Sequence, residues 1–189
     1  MDTVEDIANL YGTPIQHLKP LTYQEFIDKL IVKLTNILAR LEEGAKRLCK
    51  LGEDGITYNI LIAMEQIPQF TATHEEFSNG RVDLTISHSG YSGKISKVKF
   101  EAKLWKGLKY NLNGFDQLLG YLTRWDHGGT LTYFRGQNCD DSFSNLVSNI
   151  VEQYNGAKGR NDNRFASTYH TLDSGKKVEI LHFGCHMPN

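Results

Sequence analysis

The sequence predicts an α+β domain with an α/β core, in which helices flank a mixed central sheet in the order ααβββαβαββ. Two observations predict this class. Apolar residues recur at helical spacing over the first third of the chain, and their period changes to two after Pro68. Because 189 residues is the length of one domain, we expect a single domain over 1–189, with residues 1–52 as a helical N-terminal extension.

The composition is that of an ordinary globular protein, with 40% hydrophobic and 23% charged residues. The net charge of −1 excludes a polycation that coats DNA. No apolar run reaches the roughly 18–20 residues of a membrane span, and the acidic start MDTVEDIANL lacks the basic segment of a signal peptide. The three cysteines are far apart, which is typical of a reduced protein. We therefore expect a cytoplasmic location and no membrane partner.

Two helices are predicted at the start of the chain. Thr22 and Glu25 form a T-x-x-E capping box that opens the first helix, and Gly52 ends it. The second helix spans 54–66, before a proline. The apolar stripe of the first helix is broader than one contact needs, so 22–50 is a candidate homodimer face or docking surface, with core packing as the alternative. The stripe consists of Phe26, Leu30, Leu34, Ile37, Leu38, Leu41, Ala45 and Leu48.

Three strands follow, because β-branched and aromatic residues alternate with polar ones. The strands span 69–77, 81–88 and 97–105. Turns at Asn79-Gly80 and 89–93 separate them, so an antiparallel meander is the expected pairing. A helix over 112–125 comes next. His127-Gly128-Gly129 is interpreted as its stop, and TLTYF at 130–134 as a short buried strand.

The last third of the chain is predicted to hold one helix and a hairpin. Ser142, or Asp141 before it, is the expected cap of a helix that runs to about Tyr154. The polar segment 155–163 is predicted to be a mobile gap. FASTYHTL and KKVEILHFG flank turn residues at 173–175 and are predicted to pair as a terminal hairpin.

Positive charge is concentrated in one segment, where six lysines fall within sixteen residues whose only acid is Glu101. These are Lys94, Lys97, Lys99, Lys103, Lys106 and Lys109. Such a stripe is able to meet phosphates, but lysines also protect a solvated strand edge from aggregation. Charge alone does not decide between the two interpretations.

Two carboxylates and one lysine are predicted to share a face of the sheet. Glu101-Ala102-Lys103 is a common pattern and says little by itself. Asp83, however, lies on the preceding strand, and pairing across the turn brings it beside Glu101. Since side chains alternate along a strand, Lys103 points to the same side as Glu101.

This arrangement has the chemistry of a Mg²⁺ site. Two close carboxylates repel each other, which raises their pKa values unless a cation neutralises them. Mg²⁺ takes oxygen ligands, and Mn²⁺ is expected to substitute for it. The ion lowers the pKa of a bound water and polarises a phosphate. The Ala102 carbonyl is a further candidate ligand, and Lys103 is placed to position the water or to offset charge on the phosphorus.

The runs NGRVDLT, KFEAKLWKG and FDQLLGYLTRW resemble the PD-(D/E)XK nuclease superfamily, whose fold is restriction-endonuclease-like. The similarity is closest to the RecB-like members with a Q-x-x-x-Y helix after the E-x-K strand. It covers about residues 53–134, and the terminal hairpin more loosely. The N-terminal helix through about Lys50 is not explained by it.

The resemblance implies a role for each matching position. Asp83 and Glu101 correspond to metal ligands and Lys103 to the catalytic lysine. Gln117 corresponds to a group that orients the catalytic residues or a phosphate, and Tyr121 lies one helical turn further on the same face. Such nucleases carry another acid on a helix before the first core strand. The candidates for it are Glu53, Asp54 and Glu65, of which Glu53 is favoured.

The expected activity is a Mg²⁺-dependent phosphodiesterase that cleaves DNA, with RNA as an open alternative. An endonuclease of restriction or phage-defence type is favoured, with a homodimer to cut both strands and a defence-system protein as partner. The rival function is a catalytically weak or inactive nuclease-fold module for nucleic-acid binding or complex assembly. Three scattered cysteines do not make an iron–sulfur site, and His182, Cys185 and His186 suggest zinc only weakly.

Overall fold

Seven strands form one mixed sheet with helices on both faces in the computed structural model, which describes residues 21–48, 50–77, 81–90, 97–123, 126–136, 138–162 and 164–187. The helices are α1 Tyr23–Glu43, α2 Ala45–Leu48, α3 Glu53–Glu65, α4 Leu108–Tyr121 and α5 Cys139–Gln153. The strands are β1 Phe70–Phe77, β2 Arg81–His88, β3 Lys97–Leu104, β4 His127–Phe134, β5 Ala157–Asp162, β6 Phe165–Thr171 and β7 Lys177–His186.

The strand order across the sheet is β1-β2-β3-β4-β7-β6-β5. The first three strands form the predicted antiparallel meander. β3, β4 and β7 run parallel in the centre, and β6 and β5 return antiparallel at the far side, so the terminal hairpin is confirmed. The α+β class with a mixed sheet and flanking helices is therefore confirmed. The turn Asn79-Gly80 lies outside the described residues.

Helix α1 begins as the sequence predicts. The side chain of Thr22 accepts a hydrogen bond from the Glu25 backbone N–H, and the Glu25 carboxylate accepts one from the N–H of Thr22 at 2.7 Å. Phe26, Leu30 and Leu34 are fully buried against the sheet. The N-terminal extension therefore supplies part of the central core, and core packing accounts for this part of its apolar stripe.

Two hydrophobic cores cover the two faces of the sheet. On one face, Phe100 and Ala102 of β3 pack beneath α1 and α3. On the other face, α4 and α5 cover side chains that include Val178 and Ile180 of β7. Because side chains alternate along β3, Glu101 and Lys103 point to the face that carries α4 and α5.

The segment predicted to be a mobile gap, 155–163, instead contains β5. This strand lies at the edge of the sheet, and five of its six residues are exposed. It therefore lacks the apolar alternation by which a strand is found in a sequence. Backbone pairing with β6 holds it in place, with an irregular register between Lys158 and Asn161.

Four predicted helix boundaries were wrong, namely both ends of α4, the start of α5 and the end of the first helix, which lies at Glu43 and not at Gly52. Helix α4 starts and ends four residues earlier than expected, at Leu108 and Tyr121. Helix α5 begins at Cys139, and its N-cap is Asn138 with a left-handed backbone (φ 61°), so neither Asp141 nor Ser142 caps it. A further short helix, α2, lies after the end of α1 at Glu43.

His127-Gly128-Gly129 is not a helix stop but the start of β4, every residue of which is buried. The glycines are required by close packing. A Cβ added to Gly129 would lie 2.2 Å from Cε1 of Phe100 and 3.0 Å from the Leu181 carbonyl oxygen. Glycine here allows the ring of Phe100 to approach the backbone of the neighbouring strand.

The lysine-rich segment is not a strand edge, because β3 is an internal strand. Lys99 is buried and its ammonium lies 2.8 Å from the Asp126 carboxylate, while Lys103 belongs to the site described below. Lys97, Lys106 and Lys109 are exposed. Lys94 lies outside the described residues. The strand-edge interpretation is therefore wrong for the lysines of β3, and contact of the exposed lysines with phosphates stays untested.

We expect Gly129→Ala to lower the free energy of unfolding by about 1–3 kcal/mol, because the methyl group overpacks the core against Phe100. Urea denaturation followed by circular dichroism measures this. Gly120→Ala is the matched control, since a Cβ there meets nothing within 4 Å. It should be neutral or stabilising by up to about 1 kcal/mol. Equal stabilities of the two variants would contradict the packing argument.

Candidate functional site

The structure places Asp83, Glu101 and Lys103 on one face of the sheet, as predicted. The last pair between β2 and β3 is Leu84 with Phe100. Continuing that antiparallel register by one residue sets Asp83 opposite Glu101. Lys103 follows two residues later on the same side, and its ammonium lies 2.6 Å from Oε1 of Glu101.

The ammonium of Lys103 lies among three carboxylates. Besides Glu101, it is 3.6 Å from Oε1 of Glu53 and 3.9 Å from Oδ2 of Asp83. The side chains of Lys103, Glu53 and Asp83 are 17, 24 and 21% exposed, so solvent reaches the cluster. Three carboxylates and one ammonium carry a formal charge of −2. The site therefore has more negative charge than its own lysine can balance.

Backbone N–H groups of β3 orient the two outer carboxylates. Oδ2 of Asp83 accepts a hydrogen bond from the Ala102 N–H at 2.8 Å, and Oε2 of Glu53 accepts one from the Leu104 N–H at 2.7 Å. Both N–H groups point to the β2 edge, beyond the last β2–β3 pair. In an extended strand, the carbonyl of a residue points to the same edge as its N–H. The Ala102 carbonyl therefore faces the side on which Asp83 lies.

Glu53 is brought to the site by the anchored start of α3. Arg135, just after β4, donates a hydrogen bond to the carbonyl of Leu51. The Thr57 hydroxyl donates to the carbonyl of Glu53 and lies 2.9 Å from the hydroxyl of Tyr133. These contacts fix the first turn of α3 against the end of β4. The carboxylate of Glu53 consequently reaches the backbone N–H of Leu104, which is 51 positions later in the sequence.

The other two candidates for the third acid are placed differently. Asp54 is exposed, although its charge contributes to raising the pKa of Asp83. Glu65 is exposed at the opposite end of α3. Of the three, Glu53 alone makes an ion pair with Lys103 among the described residues. Its role as a ligand stays a prediction.

Burial and mutual repulsion shift the titration of the cluster. Burial, reinforced by the charge of Asp83, raises the pKa of Glu101 to about 7. Burial also raises the pKa of Asp83, against the lowering effect of the Ala102 N–H and of Lys103. Burial lowers the pKa of Lys103, but its hydrogen bond to Glu101 and the charges of the three carboxylates together outweigh burial, and the net shift is upward. The lysine stays charged, whereas the carboxylates are held in an environment short of positive charge.

Helix α4 lies directly over the lysine. A Cβ on Gly114 would be 2.9 Å from Cγ of Lys103, so only glycine permits this approach. Tyr121, two turns further on, is half-buried, and burial together with the charges of Glu101 and Asp83 raises its pKa. Tyr121 therefore lies within electrostatic range of the cluster. Gln117 is exposed on the same helix, three residues after Gly114.

Sequence reasoning missed Asn111 and Thr130, which line a small cavity beside Glu101 under α4. Both are buried. Asn111 had a detectable signal, because it is a polar residue on the apolar face that also carries Phe115 and Leu118. Thr130 had none, since threonine is ordinary in a strand.

The zinc interpretation of the C-terminal strand is not supported by the arrangement. His182 is fully buried on the α4 side, where its ring nitrogens meet the hydroxyls of Thr130 and Thr168. Cys185 belongs to the core on the opposite face of the sheet. The backbone N–H of His186 donates to the carboxylate of Glu42.

Comparison with family models, with curated proteins and with solved structures finds no match for this chain. Within the described ranges, no three histidine, cysteine, aspartate or glutamate side chains lie close enough together to hold a metal ion as they stand. In the same ranges, no helix has the length and apolar character needed to cross a membrane.

We expect Glu101→Gln to change how stability depends on pH. A carboxyl with a raised pKa binds its proton more tightly in the folded state, so its ionisation lowers stability as the pH rises from its ordinary value of 4.5 to about 7. The metal-free variant should therefore be more stable than the wild type at pH 8 and equal to it below pH 4.5. Urea denaturation in the presence of a chelator measures both.

The matched control for this pH experiment is Glu65→Gln, which alters an exposed glutamate at the far end of α3. Its pH dependence should follow that of the wild type. If Glu101→Gln also follows the wild type across this range, burial does not raise the pKa of Glu101 as described.

Proposed function

We propose that the protein is a Mg²⁺-dependent phosphodiesterase that cleaves DNA as an endonuclease. The observation that carries the proposal is the ammonium of Lys103 within 3.9 Å of three carboxylates, of which solvent reaches those of Glu53 and Asp83. Such a cluster costs stability, because its negative charges are partly buried and only partly neutralised. A divalent cation would neutralise that excess charge. Metal binding would therefore explain why the chain carries a cluster that lowers its stability.

The donor set fits a hard divalent cation, because the carboxylates already surround a positive charge. Asp83 and Glu101 would be the ligands, with Glu53 and the Ala102 carbonyl as further oxygen donors. The Lys103 ammonium would then leave the centre of the cluster. When bound, the ion would supply Lewis-acid charge for the phosphate and a lowered pKa for the attacking water.

The residues of the chain have separate tasks in this proposal. The N–H groups of Ala102 and Leu104 hold one oxygen of each outer carboxylate in place, while the side chains would have to draw closer together to surround an ion. Lys103, charged and flexible, holds the water or donates to a phosphate oxygen as negative charge grows there. The reaction is a direct displacement in which water attacks phosphorus and the leaving oxygen departs, with no covalent enzyme intermediate.

Helix α4 is the proposed support for the substrate phosphate. Tyr121 and Gln117 lie on the helix that covers Lys103, and Tyr121 is within range of the carboxylate charges. Gln117 is exposed and so is free to meet a phosphate from solvent. The likeness to the PD-(D/E)XK nucleases and their restriction-endonuclease-like fold supports the same assignment, and membership of that superfamily is part of the proposal.

We expect Lys103→Met to abolish Mg²⁺-dependent cleavage of plasmid and linear DNA, with a loss of at least about 100-fold in rate, because one electrostatic contact to the transition state is removed. Lys177→Met is the control, since Lys177 is exposed at the start of β7, the end of the central sheet opposite the site. It should cleave like the wild type. The assay compares supercoiled, linear and single-stranded DNA, and RNA of the same sequence.

The outcomes of this assay separate the candidate functions. Cleavage of RNA alone would show that the substrate is RNA and not DNA, with the same metal-dependent hydrolysis. No cleavage by the wild type of any substrate, with Mg²⁺ or Mn²⁺, would favour the binding or assembly module. Equal rates in the wild type and in Lys103→Met would remove Lys103 from the catalytic machinery.

Metal binding is expected to raise the melting temperature of the wild type, because the ion binds the folded state alone. In Asp83→Asn the rise should be lost or much reduced, since one ligand charge is gone. Glu65→Gln is the control and should keep the full rise. Thermal melting with and without millimolar Mg²⁺ or Mn²⁺ measures this, and an equal rise in Asp83→Asn would exclude Asp83 as a ligand.

A further inference from the structure

A small cavity lies between β3, β4 and α4, directly behind the carboxylate of Glu101. Its lining includes Glu101 and Lys103 of β3, Asn111 of α4 and Thr130 of β4. It offers about 10 Å³ for the centre of a water molecule. That is close to the space which one buried water occupies. The cavity is therefore of the size of a single solvent molecule, and polar residues supply about half of its lining.

Two hydrogen-bond acceptors that line this cavity have no partner among the described residues. They are Oε2 of Glu101 and Oδ1 of Asn111, whose residues are only 3% and 5% exposed. The orientation of the Asn111 amide is fixed, because its Nδ2 donates to the Gly107 carbonyl at 3.1 Å. Reversing the amide would set two carbonyl oxygens against each other. Oδ1 is thus the end of the amide that has no partner among the described residues.

These two acceptors cannot satisfy each other when Glu101 is ionised, since neither carries a hydrogen. Buried polar groups in proteins are nearly always hydrogen-bonded, and ordered water supplies the partner where side chains do not. One water molecule has two hydrogens, one for each oxygen. The hydroxyl of Thr130 lines the same space and is itself positioned by the ring of His182 at 2.9 Å. A water in this cavity therefore has two to three polar partners, as buried waters generally do.

We propose that Asn111 is a positioning residue that holds Glu101 from behind through one buried water, which donates to Oδ1 of Asn111 and to Oε2 of Glu101. The two oxygens of Glu101 then have different tasks. Oε2 is tied to α4, whereas Oε1, which now contacts Lys103, faces the cation site. The part played in metal binding rests on the proposed function, whereas the water site itself does not.

The water site is tested on the metal-free wild type by a crystal structure at about 1.5 Å resolution or better. The expected result is one ordered water within about 2.6–3.2 Å of both Oδ1 of Asn111 and Oε2 of Glu101. Absence of such density, or direct contact between the two side chains, would overturn the proposal. This measurement involves neither metal nor variant, so a failure of the proposed function leaves it intact.

The positioning role is tested by Mn²⁺ affinity, measured by isothermal titration calorimetry. Asn111→Ala is expected to weaken Mn²⁺ binding about tenfold, as removal of an outer-shell partner of a metal ligand does. Asn59→Ala is the matched control. Its Nδ2 makes the same bond to the carbonyl of a glycine four residues earlier, Gly55, at 2.7 Å, but on α3. This control should keep the wild-type affinity.

Comparison of Asn111→Ala with Asn59→Ala separates an effect on the position of Glu101 from a general loss of stability. Loss of the helix bond destabilises both, whereas only the Asn111 change removes the water contact. Asn111→Leu, which keeps the bulk of the side chain, is the second variant and should weaken Mn²⁺ binding likewise. Wild-type affinity in a folded Asn111→Ala or Asn111→Leu would overturn the positioning role. Failure of the wild type to bind Mn²⁺ at all would overturn it together with the proposed function, and would leave the water site to be judged by the crystal structure.

Discussion

The candidate site depends on the point at which β2 and β3 stop pairing. Beyond Leu84 and Phe100 no strand in the described ranges pairs with that edge of β3, while pairing with β4 continues on the other side to Leu104. Two backbone N–H groups are left without a strand partner there, and buried N–H groups require one. Carboxylates from two other elements fill that need. Negative charge is thereby concentrated at one end of β3, and the ammonium of Lys103 lies among these carboxylates.

Most of the sheet and of the site face could be predicted because the signals were local. Alternation along β3 is enough to place Glu101 and Lys103 on one side, and a turn between two strands is enough to add Asp83. The capping box of α1 was predictable for the same reason, since Thr22 and Glu25 act on each other within one turn. In each case the partners are close in sequence, or are joined by one turn.

The missed elements share the opposite property. β5 is stabilised by its pairing with β6 and carries no apolar pattern of its own, so its composition is that of a loop. Gly128 and Gly129 were interpreted as a break in the chain. The packing that requires Gly129 could not be seen from nearby residues, because the ring it contacts belongs to Phe100, about thirty positions earlier. Glu53 was favoured over Asp54 and Glu65 on the resemblance alone, because its contact with the Leu104 N–H joins residues 51 positions apart. Tertiary contacts decided these positions, and no window of the sequence contains both partners.

The position of Lys103 among three carboxylates bears on the site both without and with a divalent ion. Without a divalent ion, Lys103 offsets one of the three carboxylate charges, and the carboxyl groups respond to the remaining charge and to burial with raised pKa values. In the proposed function an ion would take the place of the ammonium, and the long rotatable stem of Lys103 would let its charge turn toward solvent. The lysine would then change from a counter-ion of the carboxylates to a contact for phosphate. Gly114 bears on this exchange, because a side chain there would press on the stem of Lys103.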